Sequence, residues 1–146
     1  MTAGYSGTPL PKKLGIVPGA SVRVFGGPPE LPALLEPLPS GAALRSRGGG
    51  RHPVVLAFHT SRAELEAQVP TLLDALDVDG GLWIAWPKKA SKVATDITED
   101  TVRDVFLPRG LVDNKVCAIS DVWSGLRVVW RKERRHLVSG AGDARS

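Results

Sequence analysis

The stretch from Val78 to Ile97, VDGGLWIAWPKKASKVATDI, constrains the fold more than any other part of the chain. Gly80 and Gly81 precede an apolar run, Leu82, Trp83, Ile84, Ala85 and Trp86, that stops at Pro87, Lys88 and Lys89. An unbroken apolar run feeding a polar loop is the pattern of a strand buried on both faces, as parallel strands are. VVLAFHT, from Val54 to Thr60, has the same character and ends in His59 and Thr60. Between the two runs, Ser61 and Glu64 have the spacing of a capping box, and Leu65, Val69, Leu72, Leu73 and Leu76 form one helical stripe. Pro70 inside this helix removes an internal hydrogen bond and predicts a kink or break. Asp77 to Gly81 reads as the turn into the tryptophan-rich strand.

The other elements are shorter. Pro9, Pro11 and Pro18 limit any helix near Leu10 to Leu14 to a single turn. SVRVF (21–25) predicts a strand, stopped by Gly26, Gly27, Pro28 and Pro29, and Leu31, Leu34 and Leu35 predict a short helix. Ala42 to Leu44 allow a short strand, and RSRGGGRHP reads as a mobile loop. Thr98 can cap a helix carrying Glu99 and Asp100 in its first turn and Val102, Val105 and Phe106 on its buried side. Strands over Lys115–Ser120 and Gly125–Lys132 follow, close enough to form an antiparallel hairpin. The order predicts an α/β fold: a mostly parallel Rossmann-like sheet, helices on both faces, and a C-terminal antiparallel hairpin.

Charge and cysteine content narrow the function classes. The net charge of +4 is concentrated in residues 131–146, which carry +3 of it, so the body is nearly neutral and nucleic acid is not an expected partner. Residues 1–137 are expected to form one domain, with 1–20 an extended N-terminal segment and 138–146 a disordered tail. No apolar run reaches the roughly 18 residues of a membrane span, and the N-terminus lacks a signal-peptide pattern, so a cytoplasmic location is the expectation. Cys117, between Val116, Ala118 and Ile119, reads as a core thiol. Three scattered histidines and one cysteine offer no metal-ligand cluster.

Two patterns carry a resemblance. KKLGIVPGASVRVFGG (12–27) and TSRAELEAQVPTLLDALDVDGGLWIAW (60–86) resemble the first strand with its glycine-rich loop, and a later helix, Gly-Gly turn and strand, of the class I methyltransferase fold. That resemblance implies a loop whose amides, with a carboxylate, hold S-adenosylmethionine, and a second carboxylate for the ribose hydroxyls. Here the loop is Gly26-Gly27-Pro28-Pro29, in which the prolines lack N–H donors, and no Asp or Glu occurs between Glu36 and Glu64. Arg45 and Arg47 stand instead where they suit a phosphate. YSGTPLPKKLGI, WPKKAS, GLVDNKVCAI and WSGL also resemble the blocks of a small bacterial family, a domain of unknown function that brings no activity to carry over.

Open α/β sheets place ligands beyond the carboxyl ends of their strands. On that rule the candidate ligand-binding residues are Gly26, Gly27, His59, Thr60, Trp86, Lys88, Lys89 and Ser91, provided that the segments ending in Phe25, His59 and Trp86 run side by side in one direction. Lys88, Lys89 and Ser91 precede a helix N-terminus and suit an anion. His59 has the chemistry of a general base, but no matching nucleophile is evident and no residue is assigned a catalytic role. Trp83 and Trp86 fall on opposite sheet faces, with core packing their first use. Two readings follow. One is a non-catalytic binding or regulatory protein, with no cofactor, whose partner is a protein or an anionic small molecule. The other is an enzyme or sensor for a phosphorylated small molecule, using Lys88 and Lys89.

Overall fold

A computed structural model describes residues 8–134 of the chain. Residues 1–7 of the expected N-terminal segment, the domain boundary at 137 and the tail 138–146 lie outside the described residues. In chain order the elements are α1 (Leu10–Lys13), β1 (Ser21–Phe25), α2 (Leu31–Leu34), β2 (Ala43–Arg45), β3 (His52–Phe58), α3 (Arg62–Ala75), β4 (Leu76–Pro87), α4 (Glu99–Phe106), β5 (Leu111–Ala118) and β6 (Trp123–Trp130). They build one six-stranded sheet in the order β2-β1-β3-β4-β6-β5. β2, β1, β3 and β4 are parallel, while β6 runs antiparallel to both β4 and β5. Among the described residues no helix is long and apolar enough to cross a membrane.

The apolar runs became the centre of the sheet because alternate residues are buried on each side. Val55 and Ala57 of β3, with Ile84 and Trp86 of β4, pack with Leu65, Val69 and Leu72 of α3 and Val102, Val105 and Phe106 of α4. Val54, Leu56 and Phe58, with Trp83 and Ala85, pack with Leu14 and Ile16, just beyond α1, and with Leu31 and Leu35 around α2. Trp83 also ties α1 down, because its indole N–H donates to the Leu14 carbonyl at 3.0 Å. The two tryptophans are thus on opposite faces and in the core, at 0% and 7% exposure.

Several local features differ from the sequence expectation. Ser61 caps α3, accepting from the Glu64 N–H at 3.3 Å, but the helix spans Pro70 without a break. Pro70 is exposed, so its missing donor lies on the solvent side while Leu65, Val69 and Leu72 hold the buried side. No turn follows α3, and Gly80 and Gly81 lie within β4. A Cβ on Gly80 would stand 2.8 Å from the Pro53 carbonyl oxygen and 3.0 Å from that of His52, so the glycine serves close strand approach rather than a turn. Arg51, expected in a mobile loop, donates to the carbonyls of Leu73 (3.4 Å) and Leu76 (2.7 Å) and caps the end of α3. β5 begins earlier than expected, at Leu111, and carries a register shift between Asp113 and Lys115. That bulge changes which side each residue faces: Asp113 meets Arg103 of α4 at 3.0 Å, whereas Lys115 donates to the Lys13 carbonyl at α1, also at 3.0 Å.

Candidate functional site

β1, β3 and β4 are adjacent and parallel, with Phe25 level with Ala57 and Phe58 level with Ala85, so their carboxyl ends share one rim. Gly26 turns the chain away from β1 at φ +68°, and a Cβ there would stand 2.9 Å from the Phe58 carbonyl oxygen. The space beside Gly27 is already filled. A Cβ on it would lie 2.7 Å from Val24 Cγ1 and 3.1 Å from Leu31 Cδ2. Pro28 uses its carbonyl to accept from the Leu31 N–H at 3.0 Å, starting the single turn of α2.

Beside this loop lies a cleft of about 400 Å³ bordered by Val24, Phe25, Gly26, Gly27, Leu31, Leu44 and Ser46. It abuts a hollow of about 570 Å³ that shares Pro32 and Leu44 and is closed by Glu36, Pro37 and Leu38. No carboxylate lines the cleft itself, and Ser46 supplies its side-chain hydroxyl. Of the sequence-predicted residues, only Gly26 and Gly27 border it. Leu44 and Ser46 escaped notice because the short strand that Ala42 to Leu44 allowed gave no sign of pairing with β1 beside the cleft. The clue was that Ser46 lies between Arg45 and Arg47 directly after that strand.

His59 is 8% exposed and points elsewhere. Its backbone N–H donates to the Ala85 carbonyl at 3.0 Å, and its Nε2 lies 2.6 Å from Oε1 of Gln68 on α3. Since an amide oxygen can only accept, Nε2 carries the proton and Nδ1, which has no partner, is a bare buried acceptor. Burial pushes the imidazole pKa down, against the opposing effects of Gln68 and Glu64. Thr60 contributes its carbonyl, which accepts from Thr95 Oγ1 at 2.7 Å. Asp96 accepts from the Arg62 N–H at 2.7 Å, so this connection is strapped across the start of α3.

The Lys88–Lys89 region spends its polar groups internally. The Lys88 N–H donates to the Val122 carbonyl at 2.7 Å, and the Lys88 carbonyl accepts from Ser91 Oγ at 2.6 Å and the Ser91 N–H at 3.0 Å. Ser91 Oγ accepts in turn from the Val93 N–H at 3.2 Å. Thr98 and Thr101 cap α4 reciprocally, and Glu99 and Asp100 place negative charge at that end. Lys88 acts instead, with Lys13 and Lys115, on Cys117, whose pKa burial pushes up against those three cations. Trp86 is core. Among the described residues no three His, Cys, Asp or Glu side chains gather as a metal site.

No family model matches the chain, and no curated protein matches it. The expected likeness to a small bacterial family thus has no family model behind it. Among solved structures, the chain is similar to the B. subtilis M1A22 tRNA methyltransferase TrmK, with a TM-score of 0.54 at 11% identity, over 87% of this chain and 67% of that one. It is also similar to DhpI, solved as a complex with SAH, with a TM-score of 0.53 at 10% identity over 83% and 81% of the two chains. At such identities the likeness is one of fold and assigns no activity. By that fold the chain is an α/β protein with a methyltransferase-like, Rossmann-like sheet.

Proposed function

We propose that this is a non-catalytic binding or regulatory protein on a methyltransferase-like scaffold that lacks an intact S-adenosylmethionine site. The observation that carries the reading is the loop after β1. Pro28 and Pro29 have no N–H to offer where backbone amides would have to hold a cofactor. A ribose diol and an ammonium group both call for a carboxylate, and the cleft has none. The residues present therefore do not fit this cofactor. The partner is a protein or an anionic small molecule in the cytoplasm. The reading that uses Lys88 and Lys89 for a phosphorylated substrate has less support, because the Lys88 amide is engaged by the Val122 carbonyl and the Ser91 hydroxyl by its own turn.

The test is thermal and chemical unfolding of the full chain with S-adenosylmethionine and S-adenosylhomocysteine. A ligand at 100 times its dissociation constant would stabilise the native state by about 2.7 kcal/mol. No shift is expected with either compound. A clear upward shift, or methyl transfer to any acceptor, would refute the proposal.

A further inference from the structure

β2 is the last strand on its side of the sheet and pairs with β1 alone. The Ala43 N–H donates to the Ala20 carbonyl at 3.0 Å, so the backbone groups of Ala43 face β1. Successive strand residues aim their N–H and C=O at opposite edges. Those of Leu44 therefore point out of the sheet, where no described residue meets them. Side chains alternate across the sheet instead. Leu44 packs on the α1 and α2 face with Val22 and Val24, and it borders both the cleft of about 400 Å³ and the hollow of about 570 Å³. Arg45 and its register partner Arg23 are on the other face, where the Arg23 head lies 4.0 Å above the ring of Phe25, a member of the core that α3 and α4 cover. Arg47 extends the positive charge beyond the strand, and both Arg45 and Arg47 are exposed. Among the described residues the ion pairs belong to Arg62 and Arg103, and none reaches these three arginines.

An open strand edge with an apolar trough on one face and unneutralised cations on the other suits one kind of ligand. An extended chain sends successive side chains to opposite faces while its backbone bonds to the edge. The two faces then dictate its sequence: apolar residues beside Leu44, where they fill the hollows, and acidic residues beside Arg45, where guanidinium holds a carboxylate in a fork. Charges at an edge also select against indiscriminate pairing. A second copy of this chain does not fit, since pairing β2 with itself gathers the arginines of both copies at one seam. The ends of the chain do not match either, because residues 1–7 hold no Asp or Glu and residues 135–146 hold Asp143 against Arg135 and Arg145. We propose that the β2 edge docks an extended segment of a partner protein in which acidic and apolar residues alternate. The segment pairs with the outward groups of Leu44, its apolar side chains in the hollows and its carboxylates on Arg45 and Arg47. This rests on the reading of the protein as a non-catalytic binding protein and names the chemistry of its partner.

Calorimetric titration of the full chain with a capped peptide of about eight residues, alternating valine and glutamate, tests it. One control has the same composition with the two residue types in separate blocks, and another alternates valine and lysine. The expected result is saturable binding of the valine–glutamate peptide, about tenfold tighter than either control and weaker in high salt. N-methylation of every valine, or of every glutamate, blocks one edge of the peptide, and one of these two versions should fail to bind. Arg45→Glu/Arg47→Glu should lose about tenfold for the valine–glutamate peptide and gain for the valine–lysine one. Leu44→Pro, which removes the outward N–H and keeps the donors that face β1, should also lose about tenfold. Circular dichroism establishes that the variants are folded. Equal affinity for the alternating and block peptides, undiminished binding by both N-methylated versions, or undiminished binding to the charge-reversed variant overturns the proposal. So does the absence of saturable binding, or a dimer in sedimentation that Leu44→Pro dissolves, which would give the edge to a second copy. A single-stranded RNA oligomer that binds through the same arginines while the peptide does not overturns it as well. Binding of S-adenosylmethionine would sink the scaffold reading by itself, whereas failure of the peptide with S-adenosylmethionine also inert sinks this inference alone.

Discussion

His59 should make the protein lose stability in mild acid, in a way that one substitution removes. Its Nε2–H is committed to Gln68, so a second proton would fall on Nδ1 and create a buried donor with no acceptor. The folded state therefore resists protonation, and burial lowers its pKa from the ordinary value of about 6.5. Above that value the imidazole is neutral in both folded and unfolded chains, and its contribution to stability is complete. As pH falls below it, the unfolded chain takes the proton first, and unfolding becomes easier by up to about 1.4 kcal/mol per pH unit. The loss levels off once pH passes the lowered folded value. Urea unfolding of wild type and His59→Gln at stepped pH from about 7.5 to about 5 isolates this part, because carboxylates and the other histidines contribute to both proteins. Wild type should hold an advantage at the upper end that narrows as pH drops. A gap that stays constant, or widens in acid, would refute the assignment of the bare nitrogen. Gln68→Glu should reverse the trend, since a carboxylate there would favour the imidazolium.

Three further outcomes test the packing. Arg51→Met should cost about 1.5–3 kcal/mol in urea unfolding, since charged hydrogen bonds to the last carbonyls of α3 are lost; a change within about 0.5 kcal/mol would mean that the cap is idle. Trp83→Phe leaves the Leu14 carbonyl without its buried donor and should cost about 1–3 kcal/mol, with faster amide exchange over residues 10–14; unchanged exchange there would show that the indole does not hold α1. Pro70→Ala should stabilise the protein, by up to about 3 kcal/mol, by restoring a donor and removing a clash inside α3; destabilisation would mean that the helix depends on the proline.

The centre of the fold was readable from single residues because burial there is dictated by composition. Val54 to Phe58 and Leu82 to Trp86 have no other place to go than between two packed layers, and the Ser61 cap and its leucine stripe were local signals that the core reinforced. The shared rim of β1, β3 and β4 followed from those runs. What sequence reasoning missed depends on contacts between distant residues. Gly80 looks like a turn residue until the His52 and Pro53 carbonyls are found against it. Asn114 carries no mark of the bulge that turns Asp113 and Lys115 to opposite sides. The candidate site was legible in part for the same reason. Gly26 and Gly27 border the cleft, but His59 is bonded to Gln68 on α3, and the Lys88 amide is bonded to the Val122 carbonyl, contacts that the local sequence does not mark. The arginines had been noticed as suiting a phosphate, but their pairing needs the three-residue strand β2, too short for periodicity to reveal.

The passage from α3 to β4 uses no connecting residue, Ala75 ending one element and Leu76 beginning the next. The slack lies just beyond that joint, because Leu76 and Gly81 of β4 stand opposite His52 and Val54 of β3, so residues 77–80 have no register partner in β3. An extra residue could be taken up there without turning the helix or flipping the paired strand, and the glycines at 48–50 likewise have room to absorb a longer segment. Length changes inherited by descendants of this chain should accumulate at those two points and be purged from the paired run beyond Gly81, which makes that run a fixed ruler for aligning distant relatives.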